Sequence, residues 1–143
     1  LQDVSTQLIR NSLIHGIESD DERQKRGKDM EALLKIDIQQ ENGHISYTYR
    51  DDGRGLDIEK IKQKAIRNDL IDESKVKDMK NSEIARLIFR DGFTTLDTTS
   101  KDAGRGEGMS MIKGMVSKYK GKMKFAFSKG SYFELSVNFN TQE

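Results

Sequence analysis

The segment that most constrains the fold is the glycine loop Asp51-Asp52-Gly53-Arg54-Gly55, which follows a strand-like run and precedes a helix-like run. Glycine permits positive φ and close approach of the backbone to a ligand, and a helix that begins after such a loop directs free N–H groups towards an anion. A second cluster, Gly104-Arg105-Gly106-Glu107-Gly108, lies far downstream. One such loop is usually an ordinary turn, but the pair predicts a nucleotide pocket.

The composition limits the classes of function that the chain can serve. Its 143 residues suffice for one domain with one core. Lys and Arg number 25 against 24 Asp and Glu, a net charge of +1, so we expect no nucleic-acid or membrane partner. The absence of cysteine excludes disulfides and thiolate metal sites and fits a cytoplasmic protein. No run approaches the ~20 apolar residues of a membrane-spanning helix. Because the chain does not begin with Met, we expect a domain excised from a longer protein.

The N-terminal part has the periodicity of an amphipathic helix. Apolar residues at helical spacing predict one helix from Val4 to about Ser19, with an apolar stripe and a separate polar seam. The stripe consists of Leu8, Ile9, Leu13, Ile14 and Ile17, and the seam of Gln7, Asn11 and Glu18. The charged stretch from Asp20 to Asp29 predicts a solvated loop.

The middle of the chain predicts a β-hairpin. Apolar residues alternate with polar ones from Leu34 to Ile38 and again from Ile45 to Tyr49, and Asn42-Gly43 between them favours a two-residue turn. The second strand delivers Asp51 to its end, where a carboxylate can point into a cleft.

The remainder predicts further helices and two closing strands. Asp57 is a favoured N-cap for a second helix, and Ser82 is expected to cap a third that extends to Phe89. The stretch from Arg90 to Ala103 predicts a mobile loop. Helical spacing returns after Gly108, and two strands, Lys122 to Phe127 and Tyr132 to Phe139, close the chain. The sum is a mixed α/β layer.

Four short motifs occur in one order along the chain. They are Arg10-Asn11 with His15-Gly16-Ile17-Glu18, then Asp51 to Asp57, then Gly92-Phe93-Thr94-Thr95, then Gly104 to Met109. This order resembles the ATP-binding domain of CheA-type histidine kinases, in the GHKL (HATPase) superfamily. The resemblance covers essentially all of residues 1–143, and it extends to Glu22-Arg23 with Gly27-Lys28 and to Gly130-Ser131.

The resemblance implies a fold, a reaction and partners. The fold is α/β, a two-layer sandwich of the Bergerat (GHKL) type in which a mixed sheet packs against helices. The activity is that of a protein histidine kinase in two-component signal transduction, such as chemotaxis. The kinase binds Mg-ATP and phosphorylates a histidine on a phosphotransfer domain, which we expect in the same parent protein. A response regulator acts downstream, and we expect the parent to be a homodimer.

The resemblance also implies roles for particular residues. Asp51 suits the exocyclic amine of adenine, with Gly53 and Gly55 against the ring. Asn11 is the expected Mg²⁺ ligand. The other nucleotide-binding residues that we expect are the cations Arg10, His15 and Lys60, the lid residues Thr94, Thr95 and Ser100, and the loop residues Gly104, Arg105, Gly106, Gly108 and Met109. Without the resemblance, Asp51 would be a plain turn carboxylate and Asn11 an exposed helix residue.

The chain departs from the family pattern at Gln7, where CheA-type domains usually carry His and other members of the superfamily Glu. We expect Gln7 and His15 to be the catalytic positions, but glutamine can neither accept nor deliver a proton at neutral pH. Ile14 likewise replaces a usual Asp. A water-activating ATPase is disfavoured because it needs a general base. An active kinase remains the first reading, and a degenerate nucleotide-binding module with a regulatory or scaffolding role is the alternative.

Overall fold

The computed structural model describes residues 1–91, 93 and 108–140. The chain divides into two compact units, the first formed by Leu1–Leu56 with Met115–Glu143 and the second by Asp57–Gly114. The first unit contains the sheet, and the second contains most of the helices that follow the glycine loop.

The elements of the first unit agree with the sequence pattern in their strands but not in their helices, because the predicted helix to Ser19 ends at Asn11 and the helix Asp20–Lys25 was not predicted. They are α1 (Gln2–Asn11), a π-helical turn (Ser12–Gly16), α2 (Asp20–Lys25), β1 (Leu34–Glu41), β2 (His44–Asp51), β3 (Lys122–Ser128) and β4 (Tyr132–Asn140). Helix α6 (Met109–Lys118) begins in the second unit and ends in the first. The predicted hairpin and both closing strands are confirmed.

The four described strands form one sheet in the order β1-β2-β4-β3. Every pairing in it is antiparallel, whereas a mixed sheet was expected. The reason is that two hairpins supply the strands, and β2 and β4 pair side by side in opposite directions. Asn42 and Gly43 both have positive φ, at 51° and 76°, as the tight turn between β1 and β2 requires. The α/β fold class is confirmed.

One face of the sheet packs against α1. Tyr47 and Tyr49 on β2 are fully buried, as are Leu135 and Val137 on β4. The Ser5 hydroxyl oxygen lies 2.7 Å from the Tyr47 hydroxyl, which ties α1 to this face. The sheet and α1 are therefore the two layers of this unit.

The buried stripe of the first helix differs from the predicted one. Leu13 and Ile14 are 66% and 53% exposed, although both were assigned to the apolar stripe. The inward side chains include Val4, Leu8 and Ser12, which recur every four residues. Ser12 faces inward because it hydrogen-bonds to polar groups of β2.

The predicted solvated loop after Ser19 is wrong, because the segment forms α2. The Ser19 hydroxyl caps this helix by accepting the Glu22 N–H at 3.2 Å. Arg23, in its middle, is only 1% exposed, although arginine is rarely buried without partners. The charge run therefore includes a core residue.

Arg23 pairs with the buried Glu18 and with the partly exposed Asp52, and we refer to Glu18, Arg23, Lys28 and Asp52 as the Glu18 cluster. Arg23 Nη1 lies 3.0 Å from Glu18 Oε1, and Arg23 Nη2 lies 3.2 Å from Asp52 Oδ2. Lys28 Nζ lies 2.5 Å from Glu18 Oε2. Glu18 thus serves two cations with its two carboxylate oxygens. The Glu18 side chain is fully buried, and its two ion pairs compensate for the loss of its hydration.

The Glu18 cluster holds the backbone of the glycine loop. Lys28 Nζ donates to the carbonyl oxygens of Asp52 and Gly53, each at 2.9 Å, in addition to its bond with Glu18. All three ammonium hydrogens can therefore be used. Because charge-assisted hydrogen bonds are the strong ones, this cluster fixes the loop that follows β2.

Two glycines let the loop pass close to neighbouring backbone. A Cβ on Gly53 would lie 2.1 Å from the carbonyl oxygen of Gly16, and one on Gly55 would lie 2.3 Å from that of Ser128. Gly55 also has a positive φ of 70°. The loop is held from its other side by the Gly130 N–H, which donates to the Arg54 carbonyl at 2.6 Å. These contacts give Gly53 and Gly55 a packing role in addition to the expected ligand role.

The second unit is helical in its described part. Its elements there are α3 (Ile58–Arg67), α4 (Glu73–Val76), α5 (Asn81–Ala85), a 3₁₀ turn (Arg86–Phe89) and the start of α6. Asp57 caps α3 as predicted, because its Oδ1 accepts the N–H of Glu59 at 3.1 Å. Ser82 does not cap α5, because the helix already begins at Asn81 and the Glu83 carboxylate accepts the Lys80 N–H at 3.4 Å. The α4 turn was not predicted.

No helix in the described ranges 1–91 and 108–140 has both the length and the apolarity to cross a bilayer. Of the predicted mobile loop from Arg90 to Ala103, only Arg90, Asp91 and Phe93 are described. Arg90 Nη1 donates to the Leu70 carbonyl at 2.9 Å, and the Asn68 side chain donates to the Phe93 carbonyl at 2.9 Å. The rest of that prediction lies outside the described residues.

We predict that Glu18→Gln lowers the free energy of unfolding at pH 7 by about 3–5 kcal/mol, because it removes the buried negative charge that Arg23 and the partly buried Lys28 share and leaves Arg23 only its pair with Asp52. Burial acts to raise the pKa of Glu18. The hydrogen bond from Lys28, the local backbone and the charges of Lys28 and Arg23 outweigh it and hold the pKa below its usual value. The stabilisation is therefore complete above the unfolded-state pKa, about 4.3, and is lost as the pH falls through the lower folded value.

Urea denaturation between pH 7 and pH 3 measures this effect. Glu59→Gln is the matched control, because the Glu59–Lys62 pair at 3.1 Å has a Glu side chain that is 72% exposed. The control should lose less than about 1 kcal/mol. Equal losses in the two variants, or an unchanged pH dependence in Glu18→Gln, would contradict the assignment.

We also predict opposite outcomes for alanine at two glycines. Gly53→Ala should destabilise the chain by about 1–3 kcal/mol, because the new Cβ meets the Gly16 carbonyl. Gly114→Ala should stabilise it by about 0.5–1 kcal/mol, because Gly114 lies in helix α6 and no described atom comes within 4 Å of its Cβ position. Thermal unfolding of both variants checks the pair, and a neutral Gly53→Ala would show that the loop can move away.

Candidate functional site

The Asp51 carboxylate is the centre of the candidate site. Asp51 ends β2 and is only 4% exposed. Its Oδ1 accepts the Gly53 N–H at 3.0 Å, and its Oδ2 accepts the Ser12 hydroxyl at 2.8 Å. Both oxygens therefore act as acceptors, and each retains a lone pair for a ligand. A carboxylate held in this way can bind an N–H donor.

Ser12 and Tyr49 support Asp51 from the protein interior, and the sequence analysis assigned a role to neither. The Ser12 and Tyr49 hydroxyl oxygens are 2.5 Å apart, and Tyr49 also reaches the Leu8 carbonyl oxygen at 3.3 Å. Burial raises the pKa of Tyr49 to about 12, so its hydroxyl keeps its proton at neutral pH. One sequence signal could have pointed to Ser12. It follows Leu8 by four residues, and this spacing places both side chains on the same face of a helix.

A π-helical turn shapes the helix end that faces the glycine loop. The Ile17 N–H donates to the Ser12 carbonyl at 2.8 Å, which is the i→i+5 bond of this turn. π-Helical turns are rare overall, and those that occur often lie at functional sites. The turn presents the Gly16 carbonyl to the loop, where it accepts the Arg54 N–H at 2.7 Å. The Gly16 and Gly53 backbones are consequently in close contact.

The predicted site residues of the first helix differ in burial. Gln7 is 4% exposed, Arg10 and Asn11 are half-buried, and His15 is exposed. The His15 carbonyl accepts from Arg54 Nη1 at 2.9 Å, and Arg54 Nη2 pairs with Glu22 Oε1 at 2.7 Å. The hydrogen bond to the His15 carbonyl joins the π-helical turn to the glycine loop through the Arg54 side chain, to which the sequence analysis assigned no role.

The remaining predicted site residues lie in the second unit or outside the described part. Lys60 is an exposed residue in the first turn of α3, Gly108 is buried directly before α6, and Met109 is the first residue of that helix. Six others lie outside the described residues: Thr94, Thr95, Ser100, Gly104, Arg105 and Gly106. Their phosphate-binding roles stay predictions.

A metal site made of clustered His, Cys or carboxylate side chains is not found within the described part. Among residues 1–91, 93 and 108–140, no group of three or more His, Cys, Asp or Glu side chains is arranged to hold a metal ion. A cation held by Asn11 would therefore need ligands from elsewhere, such as phosphate oxygens and water.

Comparison with known proteins identifies the family. Residues 1–141 match the family described as "Histidine kinase-, DNA gyrase B-, and HSP90-like ATPase". A sensor histidine kinase CheAY from Helicobacter pylori is 39% identical over 80% of the chain, and a chemotaxis protein CheA from Rhizobium meliloti is 35% identical over 92%. A gliding motility regulatory protein from Myxococcus xanthus is 38% identical over 81%. The chain spans only 14%, 17% and 15% of these three relatives.

A histidine kinase domain from Erythrobacter litoralis EL346 aligns with 96% of this chain and 42% of its own, at a TM-score of 0.48 and 9% identity. The sequence matches carry the assignment. The family match covers nearly the whole chain, and the CheA relatives exceed 30% identity over most of it. The chain therefore belongs to the histidine kinase-, DNA gyrase B- and HSP90-like ATPase family, and within it to the ATP-binding domains of CheA-type histidine kinases.

Proposed function

We propose that this chain is the ATP-binding domain of a CheA-like histidine kinase, and that residues 1–143 form its catalytic domain. It binds Mg-ATP and transfers the γ-phosphoryl group to a histidine on a separate phosphotransfer domain. The family membership supports a kinase-type phosphotransferase, and the geometry of Asp51 supports the nucleotide.

The observation that carries the proposal is the orientation of the Asp51 carboxylate. Adenine offers the hydrogens of its exocyclic amine, and Asp51 offers an acceptor whose geometry the Ser12 hydroxyl and the Gly53 N–H fix. Because an ionised carboxylate can only accept, and one lone pair on each oxygen stays available, a ligand group that binds there must be a donor. A preformed acceptor of this kind selects an amine.

The phosphate end of the site would be served by the cations and by Mg²⁺. Asn11 offers a neutral oxygen, which suits Mg²⁺ when phosphate oxygens and water complete the shell. Arg10, His15 and Lys60 would neutralise charge on the phosphates, together with the residues of the second glycine cluster.

The partners follow from the same assignment. The three relatives named above are roughly six to seven times longer than the matched segment, since the chain spans only 14–17% of each. We propose that the acceptor histidine lies on a phosphotransfer domain of the same parent protein, that the parent is a homodimer, and that a response regulator receives the phosphoryl group. The cytoplasmic location stays a prediction.

Titration calorimetry with a non-hydrolysable ATP analogue tests the nucleotide site. We expect micromolar binding that Mg²⁺ strengthens and that Asp51→Asn weakens by about 10–100-fold, because a hydrogen bond to a charged acceptor is lost. Asp37→Asn is the matched control, since Asp37 is exposed on β1 and should change nothing.

The controls separate the possible outcomes. Absence of binding at millimolar analogue would overturn the nucleotide assignment. Equal weakening by Asp51→Asn and Asp37→Asn would show a charge effect without a specific acceptor. Circular dichroism of each variant verifies that the fold is retained.

A degenerate nucleotide-binding module is the second candidate, and Gln7 is the observation that favours it. The side chain is buried and cannot exchange a proton, so it cannot replace the usual His or Glu as acid or base. An acceptor histidine is itself a nucleophile, however, and Gln7 can orient it or a phosphate oxygen by hydrogen bonding. Slow phosphotransfer is therefore compatible with Gln7.

Transfer of radioactive phosphate from γ-labelled ATP decides between the two candidates. With the full-length parent protein, we expect slow labelling of its acceptor histidine. The labelling rate of Gln7→His should be at least about tenfold higher than that of the unmutated protein, because general acid–base catalysis contributes at least that much. Binding of ATP without labelling in either form would favour the regulatory module.

A further inference from the structure

Ser12 occupies a place between a buried phenol and the carboxylate at the site. Its hydroxyl oxygen lies 2.5 Å from the Tyr49 hydroxyl oxygen and 2.8 Å from Asp51 Oδ2. Ser12 is 3% exposed, and Tyr49 is fully buried. Neither hydroxyl is therefore free to turn towards bulk water.

The direction of these hydrogen bonds follows from the number of hydrogens available. Serine has one hydroxyl hydrogen, and an ionised carboxylate has none. Ser12 must therefore donate to Asp51, and the bond between Ser12 and Tyr49 must use the tyrosine hydrogen. Burial raises the pKa of Tyr49 to about 12, so that hydrogen is retained at neutral pH. The chain of donors runs from Tyr49 to Ser12 to Asp51.

We propose that Ser12 is a positioning residue that sets base specificity, because its donated hydrogen holds Asp51 as an acceptor that takes 6-aminopurine nucleotides and rejects 6-oxopurine nucleotides. This inference rests on the proposed function, since it concerns the same carboxylate.

Removal of the Ser12 hydroxyl frees one oxygen of Asp51. The carboxylate can then rotate away from the geometry that accepts the 6-amino group, so the hydrogen bond that distinguishes the two bases becomes weaker. Tyr49 could then turn its hydrogen to the Leu8 carbonyl oxygen, which lies 3.3 Å from its hydroxyl oxygen. Discrimination between the two bases should fall, and the affinity for the adenine nucleotide should fall as well.

Calorimetry with ADP and with inosine diphosphate tests the proposal, because these ligands share ribose and phosphates and differ at the 6-position of the base. We expect the protein to bind ADP about 10–100-fold more tightly than inosine diphosphate. In Ser12→Ala this ratio should shrink by about fivefold or more.

Tyr49→Phe is the matched control, because it removes the other hydroxyl of the same buried hydrogen bond. Ser12 then has no competing partner and still donates to Asp51, so the ratio should stay within about twofold of the unmutated protein. A purely structural role of the hydroxyl pair would change both variants alike. Ser12→Cys, similar in size and a weak donor, replaces Ser12→Ala if the alanine variant does not fold, with the same expected loss.

The outcomes are distinguishable. Binding of neither nucleotide by the unmutated protein would overturn the proposed function together with this inference. Preference for ADP in the unmutated protein and an equal preference in Ser12→Ala would overturn the inference alone. Loss of the preference for ADP over inosine diphosphate in both Ser12→Ala and Tyr49→Phe would overturn the inference as well, because it would show that the hydroxyl pair has a structural role only.

Discussion

The buried Glu18 carboxylate, shared between Arg23 and Lys28, is the interaction on which the first unit depends. Two cations in the interior would be costly without it, and with it they become donors to the loop that follows β2. Lys28 uses the remaining donors on the Asp52 and Gly53 carbonyls. A charge cluster in the core thereby fixes the backbone that carries the candidate site.

The glycine loop is fixed from three directions, which explains why a side chain at Gly53 or Gly55 would clash with neighbouring backbone. Lys28 holds its carbonyls, the π-helical turn meets Gly53, and the turn between β3 and β4 meets Gly55. The side chain of Asp51 is consequently directed by backbone geometry and by Ser12. A preformed carboxylate needs little reorganisation when a ligand binds, which lowers the entropic cost of binding.

The sequence predicted the parts of this fold that depend on local pattern. The hairpin from Leu34 to Asp51 followed from alternation and Asn42-Gly43, and the start of α3 followed from its Asp57 cap. The solvated loop after Ser19 was wrong, because nothing in a run of charges shows that Arg23 meets a buried Glu18. Ser12 and Tyr49 were likewise not recognised as a pair, since their contact spans 37 positions of the chain.

The sequence by itself determined the family, the order of the motifs and the identity of Asp51 as the expected acceptor. These depend on residue type and spacing, which are visible along one dimension. Only the tertiary structure decided which polar side chains are buried and which hydrogens they share, because those contacts join the π-helical turn to β2 and α2 to the glycine loop, across 39 and 29 positions of the chain. The inward orientation of Ser12 and the outward one of Leu13 and Ile14 follow from those contacts, which the helical period alone does not reveal.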